Sequence, residues 1–398
     1  MPARSFGPFT SDGIPVPAGA RVQLRVIQTS GIPRDLAKLR FGIAQLEPKG
    51  SGGLLLPGIE PGGGGGGPGF VHGSWIAAAV DQQGQGTLAL VNDPAEVLSI
   101  TTENAESDET KRAVAWSPDG KWLAFGGGYS TLPGHVLCDV ETGILYEHPF
   151  VGLGNSVEDV AFHPDGTYLA CGFAWAGSGS QDVGIINMTD QSWDETWPTG
   201  SGSYQFGVAW SPSGDLLACV GDNGLLMITT GTKLVSAGWP DISAGTVRAV
   251  VWSPDGEYVV CGSNTGRGLH AIAVDGQTED TDWPEMTAGN IRSLAFSPDG
   301  SKLAIGGHSS LDFGGGAAPL HILDVATLTF DATLSLPGTV EGLSWWHEGT
   351  RLAAAHQNGD GLTVYDPSDW STESGWPTLV DDGLGVAFAY DPGNITTG

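Results

Sequence analysis

The chain has 398 residues, 40% of them apolar, with 63 Gly and 25 Pro, and a formal net charge of −29. The apolar share supports a sizeable core, while so much Gly and Pro disfavours long helices and leaves short apolar runs bounded by turn residues, an all-β pattern. A chain this acidic repels nucleic-acid phosphates and anionic membranes, and it holds no apolar run of membrane-spanning length, so neither nucleic-acid binding nor membrane insertion is expected.

Residues 1–60 stand apart. They carry seven Lys/Arg against four Asp/Glu, whereas the remainder carries 9 against 41. The opening "MPARSFGPFTSDGIPVPAG" lacks the apolar core of a signal peptide. On that ground the sequons at Asn187 and Asn394 are read as chance. "ARVQLRVIQ" alternates apolar Val22, Leu24 and Val26 with polar Arg21, Gln23 and Arg25, the mark of a half-buried strand. "LRFGIAQL" (39–46) reads as a second. Two strands in sixty residues make a poor core alone, so the segment is expected to be a small extended β anchor. Its contacts are expected to come from Arg21, Val22, Leu24, Arg25 and Val26. "PGGGGGGPG" (61–69) then reads as a linker, and 70–398 as one further unit.

From there the chain repeats itself. "AVAWSPDGKWLAFGGG" (113–128) returns as "DVAFHPDGTYLACGFA", "GVAWSPSGDLLACVGD", "AVVWSPDGEYVVCGSN" and "SLAFSPDGSKLAIGGH", with a weaker copy around Trp345. The marker aromatics Trp116, Phe162, Trp210, Trp252, Phe296 and Trp345 are spaced by 46, 48, 42, 44 and 49 residues. A period in the forties with strand content indicates propeller blades. Each unit reads as four strands: "VAW" or "LAF", a Ser-Pro-Asp-Gly turn, "LAFGG" or "LACG", a variable loop, a third strand such as "HVLCDV" or "LHILDV", and a short outer strand. "GSWIAAAVDQQGQGTLALV" (73–91) begins at a second strand, and "GVAFAYDPG" (385–393), marked by Phe388, is a first strand without a second. Joined, they close the ring and remove its open edges. Counting first strands predicts an all-β, seven-bladed propeller closed by a C-terminal strand. Cys171, Cys219 and Cys261 each fall nine residues after their marker and read as small core residues.

These phrases resemble the WD-repeat β-propeller family, through "SPDG", the "LA-x-G" strand, and Asp139, Asp324 and Asp366 after third strands. The family's Gly-His pair before the first strand and its Trp-Asp pair are missing. The resemblance implies a binding platform whose second-to-third strand loops and blade-to-blade loops open on one face. Three of the former are long and display Tyr129, Phe173, Trp175 and Phe313, which nothing in the repeat requires; these are the candidate ligand-binding residues. A Trp-Pro refrain at Trp197, Trp239, Trp283 and Trp376 reads chiefly as wedges between blades, with stacking platforms for a glycan or protein as the alternative.

No catalytic residues, metal ligands or cofactors are assigned: the turn aspartates are turn chemistry, and no GxSxG, HExxH or phosphate loop occurs. "LTVYDPSDWSTESGWPTL" (362–379) and the polyglycine run are similar to virion propellers of tailed bacteriophages. That likeness implies a non-catalytic virion component. It attaches to other virion or assembly subunits through residues 1–60 and presents the propeller to a host-surface glycan or protein. The alternative is an intracellular, cytoplasmic WD-repeat scaffold that docks peptides or proteins; a propeller-type lyase or hydrolase comes last.

Overall fold

The computed structural model describes residues 75–81, 87–92, 97–101, 111–127, 135–139, 144–147, 156–174, 183–198, 204–243, 245–358, 361–374, 376 and 382–388. The anchor, the glycine linker, Tyr129 and Trp175 lie outside the described residues, as do Arg21, Val22, Leu24, Arg25 and Val26.

Every described strand belongs to an antiparallel four-stranded sheet, and the pairing gives seven such sheets. The expectation of a seven-bladed propeller is corrected to five complete blades, with two further four-stranded sheets beside them. Five sheets, those marked by Phe162, Trp210, Trp252, Phe296 and Trp345, are blades of four consecutive strands with side chains described in each strand. In the Trp116 sheet the outer strand Ile144–Glu147 is described in backbone alone. The Phe388 sheet is composite: Asp382–Phe388 pairs with Trp75–Asp81, which pairs with Thr87–Asn92 and then Val97–Thr101. A marker aromatic reports a first strand, and a first strand need not be followed by its own blade.

The local rules explain the hairpins. In "SPDG", the Gly256 amide donates to the Ser253 carbonyl at 2.9 Å, and Gly256 sits at φ 75°, where a side chain is strained. Asp255 accepts from the Ser253 hydroxyl and the Glu257 amide, which lowers its pKa. Ser253 in turn accepts from the Tyr258 amide at 2.9 Å. The aspartate is therefore committed to the turn.

The markers tie neighbouring sheets. Trp116, Trp210, Trp252 and Trp345 donate their indole N–H to the carbonyls of Ala387, Ala161, Ala209 and Ala295, at 3.2, 3.1, 3.0 and 3.0 Å. Each acceptor directly precedes the marker of the neighbouring sheet. The Phe388 amide donates to the Ser344 hydroxyl at 3.0 Å, so the composite sheet is tied on both sides. Replacing Trp252 by Phe, the residue at three other marker positions, keeps the apolar contact and removes one hydrogen bond. The expected loss is about 1 kcal/mol in urea unfolding; an unchanged midpoint means that the indole bond contributes nothing.

Core clusters lie between sheets rather than within them. One joins Ala170, Val183 and Ile185 of the Phe162 sheet to Val208, Trp210 and Leu217 of the next. Cys171, Cys219 and Cys261 are free, fully buried core residues, and burial pushes their thiols up beyond any physiological ionisation.

Candidate functional site

Of the four loop aromatics only Phe173 and Phe313 are among the described residues, and these two pack in different clusters. Phe173 is not displayed on a loop: it lies in the strand Tyr168–Ala174, is 0% exposed, and packs with Leu169 and Cys171. Phe313 is half-buried, its ring centroid 4.9 Å from Phe330 and 5.3 Å from His321. Truncating Phe313 to Ala is therefore expected to cost about 1 kcal/mol of stability, more than a surface residue and less than a core one. Thermal unfolding of the variant checks this, and an unchanged midpoint places the ring outside the core.

The Trp-Pro refrain packs as wedges. Trp197 and Trp283 are buried, each in a cluster shared by two sheets, while Trp239 and Trp376 are half-buried. Trp197, Trp239 and Trp376 donate their indole N–H to the side chains of Asp194, Ser236 and Glu373, each three residues back. Lys233 lies over the Trp197 ring at 5.7 Å and bonds Asp194 at 2.8 Å. A wedge locked at both ends is not a free stacking surface.

A different constellation occupies the channel around which the innermost strands stand. In each of the seven innermost strands the pairing with the second strand skips one residue, four positions before the marker. The skipped residues are Arg112, Glu158, Phe206, Arg248, Arg292, Glu341 and Leu384. A β-bulge removes a residue from the ladder and re-aims its side chain. Six of the seven line a cavity of about 230 Å³, Arg112 being described in backbone only. Turns alternate ends in an antiparallel meander. The bulges, near the start of each first strand, therefore sit at the end where blade-to-blade and second-to-third strand loops open, opposite the Ser-Pro-Asp-Gly turns.

The mouth is a mixed electrostatic ring. The Arg248 guanidinium stacks on Phe206 at 4.4 Å, and Phe206 meets Tyr204 at 6.0 Å between centroids. Tyr204, 39% exposed, is one of three exposed large apolar side chains among the described residues. Arg292 lies 3.6 Å from Glu341, which also accepts from Gln357 at 3.0 Å. Glu158 accepts from the Ser156 hydroxyl. Burial, then the charge of Arg292, holds the Arg248 pKa below its ordinary value, against the pull of Glu158, Glu341 and Asp222.

One further residue departs from the repeat. The position after the bulge is small in six strands, Ala113, Gly207, Ala249, Ser293, Gly342 and Gly385, because the neighbouring strand comes close; a Cβ on Gly342 would stand 2.9 Å from the Gly385 Cα. In the seventh it is Asp159. Its Oδ2 accepts from the Val208 amide of the next sheet at 2.8 Å and its Oδ1 from the Val160 amide at 2.9 Å. Burial outweighs both bonds and pushes its pKa up to about 7, with the Glu158 charge adding to the rise. Sequence reasoning missed this ring, although its signal was present. Four residues before five of the seven markers, "KRAVAW", "VEDVAF", "VRAVVW", "IRSLAF" and "VEGLSW" place a charge in the strand.

A family model described as "WD domain, G-beta repeat" matches residues 141–180, 241–267 and 284–312. Each segment includes a Ser- or His-Pro-Asp-Gly hairpin. No curated protein matches the sequence. Solved chains that match number 1436, so the fold is widespread and by itself assigns no activity. Among them is the β-propeller domain of Cps50 (Swd1) from Myceliophteria thermophila. It is 15% identical with a TM-score of 0.52, over 66% of this chain and 84% of that one. Neither the family model nor this neighbour is a virion protein, and the expected phage role gains nothing from them. Together they support a β-propeller fold that carries WD-like repeats in the three matched segments.

Proposed function

We propose that the protein is a non-catalytic interaction scaffold that docks a protein partner at the loop-bearing end of its channel. The observation that carries this reading is the bulge ring. Seven strands spend a ladder position on a bulge, six of the bulged residues line the cavity, and Tyr204 lies exposed beside Phe206. WD-repeat propellers act as platforms of this kind, and the matched segments fit that use. Intracellular docking thus takes precedence over virion attachment.

A hydrolytic reading would call on Asp159 and Glu158. Both oxygens of Asp159 accept amide N–H bonds and Glu158 accepts from Ser156, so the geometry gives this reading no specific support.

The test is site-specific photo-crosslinking in cells of the source organism, with benzoylphenylalanine in place of Tyr204 or, at the opposite end, of Glu257. The expected result is one discrete adduct from position 204 and none from 257. Equal labelling from both positions, or none from either, removes the assignment of the docking end.

A further inference from the structure

We infer that Arg248 and Phe206 form a receptor for a single carboxylate carried by the docked partner, which rests on the docking reading above. Three observations converge. First, Arg248 has no carboxylate within ion-pair distance among the described residues, whereas Arg292 has Glu341 at 3.6 Å. Its guanidinium is half-buried, and Glu158, Glu341 and Asp222 act on it only from beyond ion-pair distance, so no carboxylate among the described residues occupies its donors.

Second, the guanidinium is held in place: its carbon lies 4.4 Å from the centroid of the Phe206 ring. A planar fork of N–H donors matches a carboxylate in two-point fashion. Third, the described bulge residues of the cavity include two Arg and two Glu, with Asp159 beside them. Arg292 is engaged by Glu341, which leaves Arg248 as the cation open to a ligand, and a phosphate dianion meets more repulsion from these carboxylates than a single carboxylate does. The cavity, about 230 Å³, holds one acidic side chain or one chain end and not a folded segment.

The experiment is saturation-transfer NMR of the full chain with propionate, propionamide and inorganic phosphate as separate probes, at constant ionic strength. It is repeated with the blocked peptides acetyl-Gly-Glu-Gly-amide and acetyl-Gly-Gly-Ala with a free carboxyl end. Propionate is expected to bind in the millimolar range and propionamide not at all. Whichever peptide competes with propionate identifies the source as a side chain or a chain end.

Arg248→Met, which keeps the contact with Phe206, is expected to weaken propionate binding at least tenfold while leaving the melting temperature equal or higher. Propionate binding that survives Arg248→Met, or phosphate binding tighter than propionate, overturns the inference. So does an absence of propionate binding to the wild-type chain. If Arg248→Met fails to fold, Arg248 is a structural residue, and the propionate–propionamide contrast in the wild-type protein decides alone. Crosslinking at position 204 does not depend on this charge, so a discrete adduct there together with no propionate binding rejects the carboxylate receptor and leaves the docking end standing.

Discussion

A chain ending at residue 381 is expected to lose most of its stability. The strand Asp382–Phe388 supplies Val386 and Phe388, 7% and 8% exposed, to a cluster with Ala353, Leu362 and Val364. Phe388 also meets Trp346 edge-on at 5.2 Å. Replacing a buried Phe by Ala alone costs about 3–5 kcal/mol. The truncation further strips one ladder from Trp75–Asp81, opens a sheet edge, and orphans the Trp116 indole N–H that bonds Ala387. Against a typical domain stability of about 5–15 kcal/mol, such a loss leaves little folded protein at 37 °C. Urea unfolding of the truncated chain and of Phe388→Ala checks this. A truncated chain with the full-length midpoint means that the strand is not part of the closed structure.

The second large effect is a pH dependence with an unusual direction. The folded chain holds the Asp159 proton up to about pH 7, while an unstructured Asp releases it near 3.8. Between those values the unfolded state has lost a proton that the folded state keeps, so stability falls as pH rises and is level again above 7. A shift of about three units corresponds to at most about 4 kcal/mol, and partial exposure to the channel brings the expected loss to about 2–3 kcal/mol.

Most shifted carboxylates here act the other way. Asp324, lowered to about 2 chiefly by the hydrogen bond from Lys302, contributes stability already complete above pH 4. Asp159→Ala installs the residue found at two equivalent positions, so the chain accommodates it. The difference between the stability–pH profiles of the two proteins isolates this residue. A decline of equal slope in both would show that Asp159 is ionised in the folded state throughout.

Much of the architecture was written in short-range chemistry. The Pro and Gly of the hairpin turns, the alternation of "LACV" and "YVVC", and the spacing of the markers all act over a few residues and need no partner to be read. The pairing of Trp75–Asp81 with Asp382–Phe388 spans some three hundred residues yet was legible, because one run lacks a first strand and the other a second; the short outer strands leave no such local sign. Phe173 was misplaced for a different reason. "CGFAWAGSGS" reads as the start of a loop at Gly172, yet Leu169, Cys171 and Phe173 keep the two-residue period of a strand and point into one cluster. The channel residues were overlooked because a charge within "VRAVVW" looks like the solvent face of an ordinary strand. Only the bulge, a property of the pairing, turns that position toward the axis.

That bulge has an evolutionary consequence. A residue inside a ladder is constrained by its cross-strand partner and by the layer it packs against, so changing it disturbs stability. The seven skipped residues have no ladder partner, and one position on, the neighbouring sheets pack closely whatever the bulge carries. Arg, Glu, Phe and Leu already coexist there within one chain. The ring is therefore freed from the ladder but coupled within itself, since Arg292 meets Glu341 and Arg248 lies over Phe206: a substitution there changes the chemistry of the cavity and that of its neighbour in the ring while leaving the strand pairing alone.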